Sequence, residues 1–119
     1  HINLMAAYFF ADENEKALEL FEEAKKRFND SAILYVFGGD IHKRLKQYEE
    51  AFICWDKAIE LDISFTAALN SKASCYEELG DYKKAYETWC EMIEWYEIRG
   101  YEIEAERPRA RAEKCKELF

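Results

Sequence analysis

The stretch LKQYEEAFICWDKAI at residues 45–59 is written again as LGDYKKAYETWCEMI at residues 79–93. Leu45/Leu79, Tyr48/Tyr82, Ala51/Ala85, Trp55/Trp89 and Ile59/Ile93 coincide at a step of 34 residues. Carried backwards, the same step aligns Ala17 with Ala51 and Ala85, and Phe21 with Trp55 and Trp89. Ala24 aligns with Ala58 and Met92, Tyr8 with His42 and Tyr76, and Met5 with Gly39 and Ala73. Polar pairs at Asp12-Glu13, Lys46-Gln47 and Gly80-Asp81 separate two apolar-periodic segments in each unit. One period shared by three registers constrains the fold more than any single short motif, because it means one structural unit repeated along the chain.

Within each unit the apolar spacing is that of an α-helix. Tyr48, Ala51, Phe52, Trp55, Ala58 and Ile59 step by three or four, as do Tyr82, Ala85, Tyr86, Trp89, Met92 and Ile93. Tyr35, Gly38, Gly39, His42 and Leu45 trace a preceding helix, with glycines on the face where another helix must approach closely. Asp30 and Ser64, 34 residues apart, are expected as N-caps, since both side chains accept from unpaired amides of a first turn. Each unit is thus a helix, a short turn and a returning helix. The small residues at 51 and 85 admit a neighbour, and the tryptophans at 55 and 89 fill the space beside them. A single hairpin cannot cover its own apolar surface, so successive units must pack on one another.

The order Tyr35, Gly39, His42, Tyr48, Ala51, Trp55, Ala58 resembles the tetratricopeptide repeat (TPR). Leu69, Ala73, Tyr76, Gly80-Asp81-Tyr82, Ala85 and Trp89 resemble it again. Gly38 stands where that family has Leu, and Ile63 where it often has Pro; the first unit lacks the start of its first helix. The resemblance covers roughly residues 1–99. It implies an all-α fold, an α-solenoid of three stacked TPR hairpins with the first incomplete: repeat 1 at 1–29, repeat 2 at 30–63 and repeat 3 at 64–99. A capping helix at 104–118 would complete a single domain over 1–119. Gly100 suits the end of the preceding helix, and Pro108 is expected in the first turn of the last one. Ile103, Ala110, Cys115 and Leu118 supply its expected apolar stripe.

The composition narrows function by exclusion. A formal charge of −8 opposes a nucleic-acid role, which needs a basic surface. No apolar run approaches the length of a bilayer span, and the N-terminus lacks the order of a signal peptide. Cys54, Cys75, Cys90 and Cys115 form no metal-like cluster and read as free thiols in a reducing, cytoplasmic setting. His42 occupies the position of Tyr8 and Tyr76, so packing accounts for it. No nucleophile with a base, phosphate loop or metal-ligand spacing is present, so neither catalytic residues, a cofactor nor a metal is expected.

In the TPR family the first helices of the hairpins line a concave groove for a peptide or a helix, which implies a protein or peptide partner. The matching groove residues are Phe9, Phe10, Ile33, Val36, Phe37, Asp40, Lys43, Arg44, Asn70, Ser71, Ser74 and Glu77. This groove would be apolar at its N-terminal end, basic at Lys43-Arg44 and polar to acidic beyond. Family adaptors that grip acidic chaperone tails carry a Lys/Asn/Asn/Lys/Arg set. Ile2, Ala6, Phe37, Ala67 and Ser71 stand in those places, so that mode is not expected. Two alternatives stay open: a homo-oligomer formed through the apolar N-terminal end, and a regulatory domain of a longer chaperone-linked or enzymatic chain. Charge divides sharply along the C-terminal part: residues 76–106 carry ten acidic and three basic side chains, and residues 107–119 two acidic and five basic.

Overall fold

The computed structural model describes residues 2–62, 64 and 66–119, with Ile2 described by its backbone alone; Ile63 and the side chain of Ile2 therefore lie outside the described residues. The described elements are helices: α1 (Ile2–Phe10), α2 (Asn14–Arg27), α3 (Ala32–Arg44), α4 (Tyr48–Leu61), α5 (Ala67–Glu78), α6 (Tyr82–Ile98) and α7 (Glu102–Lys116). Contacts gather the chain into two compact units, His1–Ala68 and Leu69–Phe119.

The 34-residue period is written into the backbone as well as the side chains. The second helices begin at Asn14, Tyr48 and Tyr82. Before each, residues 12, 46 and 80 take positive φ: Asp12 at 62°, Lys46 at 60° and Gly80 at 80°. At each turn that left-handed residue donates its N–H three residues back, and the next residue donates five back: Glu13 to Tyr8, Gln47 to His42 and Asp81 to Tyr76, at 2.8–2.9 Å. This is a Schellman closure, which satisfies the last carbonyls of the first helix and reverses the chain. Gly100, at φ 76°, repeats it between α6 and α7, with Tyr101 donating to Tyr96 at 2.9 Å.

N-capping departs from the sequence expectation at two places. Ser31, not Asp30, caps α3, its hydroxyl accepting from the Leu34 amide at 3.3 Å. Ser64 lies three residues before α5 and instead donates its backbone N–H to Asp62 Oδ1 at 3.0 Å. Asp81 does cap α6, accepting from the Lys84 amide at 3.2 Å. The His42 ring serves its turn too, with Nδ1–H donating to Gln47 Oε1 at 2.7 Å.

In the first unit α2 packs against α1 and α3, and α3 against α4. Ala17, Phe21, Ala51, Trp55 and Ala58 are all fully buried there, beside Met5, Leu34 and Ile41. Gly38 and Gly39 are the points of closest approach. A Cβ at Gly38 would lie within 2.9 Å of three ring atoms of Phe21, and one at Gly39 within 2.7 Å of three indole atoms of Trp55. Ordinary contact begins near 3.4 Å, so the aromatic rings occupy the space that any larger residue would need.

In the second unit α7 packs along α6, and Ala85, Trp89, Met92, Ala73 and Leu69 are buried. The last helix differs from expectation in its register. Its buried residues are Ala105, Pro108, Ala112 and Cys115, whereas Ile103 is 80% exposed and Ala110 and Leu118 face solvent. Pro108 sits in the second turn and not the first, because the helix starts at Glu102. Its missing N–H leaves the Glu104 carbonyl without the usual donor, a cost of about 3 kcal/mol for an interior proline. Burial of the whole ring offsets part of that cost.

Candidate functional site

In the first unit the structure gathers Phe9, Phe10, Phe37 and Arg44 into one cluster. The Phe9 ring meets Phe37 edge-to-face at a centroid distance of 6.3 Å and Phe10 at 5.4 Å. The Arg44 guanidinium stacks on Phe9, 3.6 Å from its centroid, donates to the Phe9 carbonyl and lies 3.9 Å from Asp12 Oδ1. Such cation–π stacking fixes an otherwise mobile side chain while leaving the charge partly solvated. Phe9 itself is buried and Phe37 is half-buried against the core, whereas Phe10 is 75% exposed and Ile33 43%. Val36 is buried.

Asp40 and Glu77, both expected in the groove, are committed to the fold. Each accepts from a buried tryptophan: Trp55 Nε1–H donates to Asp40 Oδ1 at 3.2 Å, and Trp89 Nε1–H to Glu77 Oε2 at 2.6 Å. The sequence held a signal for this, since an indole buried in a helical core must find an acceptor on its neighbour. Carboxylates at 40 and 77 are the acceptors within reach. The two choices differ by a helical turn. Asp40 follows Gly39 directly, and its indole lies over the missing Cβ. Glu77 lies one turn past Ala73, the residue that holds the place of Gly39 in the repeat.

Glu77 also accepts from Arg111 Nη2 of α7 at 2.8 Å, and Asn70 from Arg107 Nη1 at 2.7 Å. Both guanidiniums lie over the Trp89 ring, at 5.1 Å for Arg111 and 5.8 Å for Arg107. The basic C-terminal helix thus puts two of its arginines on α5. A third, Arg109, bridges Glu97 at 2.6 Å and Glu102 at 2.9 Å, which raises its already high pKa. Ser71 and Ser74 lie on the same helix as Asn70 and are half-buried, as is Lys43 in the first unit.

Two buried thiols are held neutral. Burial pushes Cys54 up to about 11, and burial with the neighbouring Glu77 carboxylate raises Cys115. Among the described residues no group of three or more His, Cys, Asp or Glu side chains is arranged to hold a metal ion. Nor is any described helix long and apolar enough to cross a membrane.

A family model described as Tetratricopeptide repeat matches residues 32–62 and 66–97, just over half of the chain. The chain belongs to that family. Among solved structures, the TPR2B domain of yeast Sti1 in complex with pHsp70 is 23% identical with a TM-score of 0.83, over 97% of this chain and 92% of that one. PcrH in complex with the chaperone-binding region of PopD is 20% identical, also with a TM-score of 0.83, over 97% of this chain and 87% of that one. Both place the fold in the all-α, TPR solenoid class. No curated protein matches the chain in sequence.

Proposed function

We propose that this protein is a non-catalytic protein–protein interaction module, a cytoplasmic scaffold or adaptor that takes a peptide or helix of its partner on the face of its first helices. The observation that carries the reading is the Phe9–Phe37–Arg44 stack, with Phe10 and Ile33 exposed beside it. A rigid aromatic anchor next to a fixed, partly solvated cation is the residue combination that dominates binding energy at protein interfaces. The similar solved structures support the reading, since each is a complex: with pHsp70 in one case, with the chaperone-binding region of PopD in the other. The places that would carry a Lys/Asn/Asn/Lys/Arg set hold other residue types, so an apolar residue followed by a carboxylate is the ligand pattern that suits the stack.

The test is selection of a displayed random-peptide library on the immobilised protein, followed by calorimetric titration of the recovered peptides. Phe10→Glu and Arg44→Glu should each weaken binding about tenfold or more with the helical content intact. A library that yields no ligand, or ligands indifferent to both substitutions, overturns the reading. Self-association is the second reading, favoured by Leu4 and Phe10, which are 50% and 75% exposed on α1. Sedimentation equilibrium separates the two, because a dimer that Phe10→Glu dissociates would assign that surface to a second copy.

A further inference from the structure

The turn between α1 and α2 carries a charge that its own geometry does not require. Asp12 takes the left-handed place, at φ 62°, that Lys46 and Gly80 take in the next two units, and all three close their hairpins by the same pair of backbone hydrogen bonds. A carboxylate is therefore dispensable to closure. Yet this one is placed: Asn14 Nδ2–H donates to Asp12 Oδ1 at 3.1 Å, and the same oxygen faces Arg44 Nη1 at 3.9 Å. At that separation, with the aspartate side chain 82% exposed and the arginine 36%, the ion pair adds little rigidity. What fixes the guanidinium is its stack on the Phe9 ring and its bond to the Phe9 carbonyl, an acceptor it shares with the Asp12 amide. The other carboxylates close to Arg44 or Asp12 along the chain are engaged elsewhere. Asp40 accepts from the Trp55 indole, and Glu13 lies 3.7 Å from Lys16.

Asp12 thus acts on Arg44 through its charge and not through position. A guanidinium carries several N–H donors in a flat fork, and the Phe9 carbonyl occupies only part of this one. A ligand carboxylate that binds the remainder shares the guanidinium with Asp12. Two carboxylates on one guanidinium stand on the order of 5 Å apart, where their repulsion in water weakens binding about fourfold. We propose that Asp12 is the specificity-determining counter-ion of this site: it keeps Arg44 partly neutralised, and so sets how far the site prefers a carboxylate to a neutral side chain in its partner. This role presupposes that the Phe9–Arg44 cluster is the binding site, as proposed. Lys43 and Lys46, on either side of Arg44 in the chain, attract any anion whether or not Asp12 is charged, so a change at Asp12 alone isolates its part.

The probes are two displayed libraries of short peptides, random apart from a central Phe-Asp in one and a central Phe-Asn in the other. Both are selected on the immobilised wild type and on Asp12→Asn. Asparagine tolerates the left-handed backbone and keeps an oxygen for Asn14. Peptides recovered from the Phe-Asp library are titrated calorimetrically against both proteins, beside the same peptides with Asn in place of the central Asp. Asp12→Asn should bind the Asp peptides about fourfold more tightly than the wild type does, and the Asn peptides within about twofold. If Asp12→Asn disturbs the helical content by circular dichroism, Asp12→Gly replaces it with the same direction expected, since Gly80 fills the same place. Equal affinity of the Asp peptides for the two proteins overturns the proposal. Weaker binding to the variant overturns it too, because Asp12 would then be holding Arg44 in position, and so does a gain shared equally by the Asn peptides. If neither library yields a ligand, or the ligands are indifferent to Arg44→Glu, the reading of the site falls and this role with it. Ligands lost on Arg44→Glu but unmoved by Asp12→Asn leave that reading standing and overturn the role of Asp12 alone.

Discussion

Replacing Gly39 by alanine sets two opposed effects against each other. In an exposed helix the change stabilises by about 1 kcal/mol, because glycine is the poorer helix former. Here the new methyl group would lie within 2.7 Å of three atoms of the Trp55 indole, which is fully buried and cannot swing into solvent. If the ring holds its place, overpacking costs about 1–3 kcal/mol. If it moves away to make room, as in the repeat where Ala73 replaces the glycine and Trp89 bonds Glu77, it leaves Asp40 and needs an acceptor in the register of Glu77. That register holds Lys43, a donor. A buried N–H left unpaired costs about 1–3 kcal/mol. At the middle of its range either route outweighs the propensity gain, for a net loss of about 1 kcal/mol, or a fall of about 4 °C in Tm for a chain of this length.

The assay is urea denaturation followed by tryptophan fluorescence and far-UV circular dichroism. Gly39→Ala in a Trp55→Phe background should cost at least about 1 kcal/mol less than in the wild type, since the smaller ring vacates the space and carries no N–H. Lys43→Glu added to Gly39→Ala should recover about 1 kcal/mol by restoring an acceptor. A Gly39→Ala protein as stable as the wild type, or more stable, would refute the reasoning.

Glu77→Ala should destabilise by about 2–3 kcal/mol in the same melts, because it strips the Trp89 indole and the Arg111 guanidinium of their common acceptor. Gly80→Ala should cost about 1 kcal/mol from the left-handed backbone alone, since no atom stands within 4 Å of the added methyl. Cys54, raised from 9.0 to about 11 by burial, keeps its proton in the folded state while the unfolded chain ionises. Its contribution to stability is therefore complete below pH 9 and lost as pH rises toward 11, which urea melts across that range would register. At pH 8 Cys54 should resist a disulfide-exchange reagent until the protein is denatured, as absorbance of the released thiolate would show.

What the sequence disclosed and what it withheld divide along a physical line. The paired helices follow from periodicity because burial of Ala17, Ala51, Ala85, Phe21, Trp55 and Trp89 is dictated by one repeating face. The turn positions follow as well, but not the left-handed backbone at 12, 46 and 80, which only Gly80 advertises; Asp12 and Lys46 adopt the same φ because closure of the hairpin demands it. In the last helix hydrophobicity alone favours Ile103 and Leu118 for the buried face. Close packing instead selected the small or compact residues Ala105, Pro108, Ala112 and Cys115, a choice of size over apolarity. The groove positions rest on family geometry, which does not distinguish a carboxylate awaiting a ligand from one serving a buried indole. Asp40 and Glu77 are of the second kind.

That distinction changes how the surface of such a repeat should be read. A repeat fixes its core positions, so chemistry is free to vary only where the period leaves a side chain without structural duty. Lys43, Glu77 and Arg111 occupy one register, yet Glu77 and Arg111 are tied to each other and to Trp89. Substituting either would report on stability before it reported on binding. Phe10, Glu91, Glu94 and Ile98 are exposed and outside the hydrogen-bonded network of the core. Loss of partner binding on changing them carries information about recognition alone. Departures from the period at positions free of packing are therefore the places where this chain's specificity is to be sought.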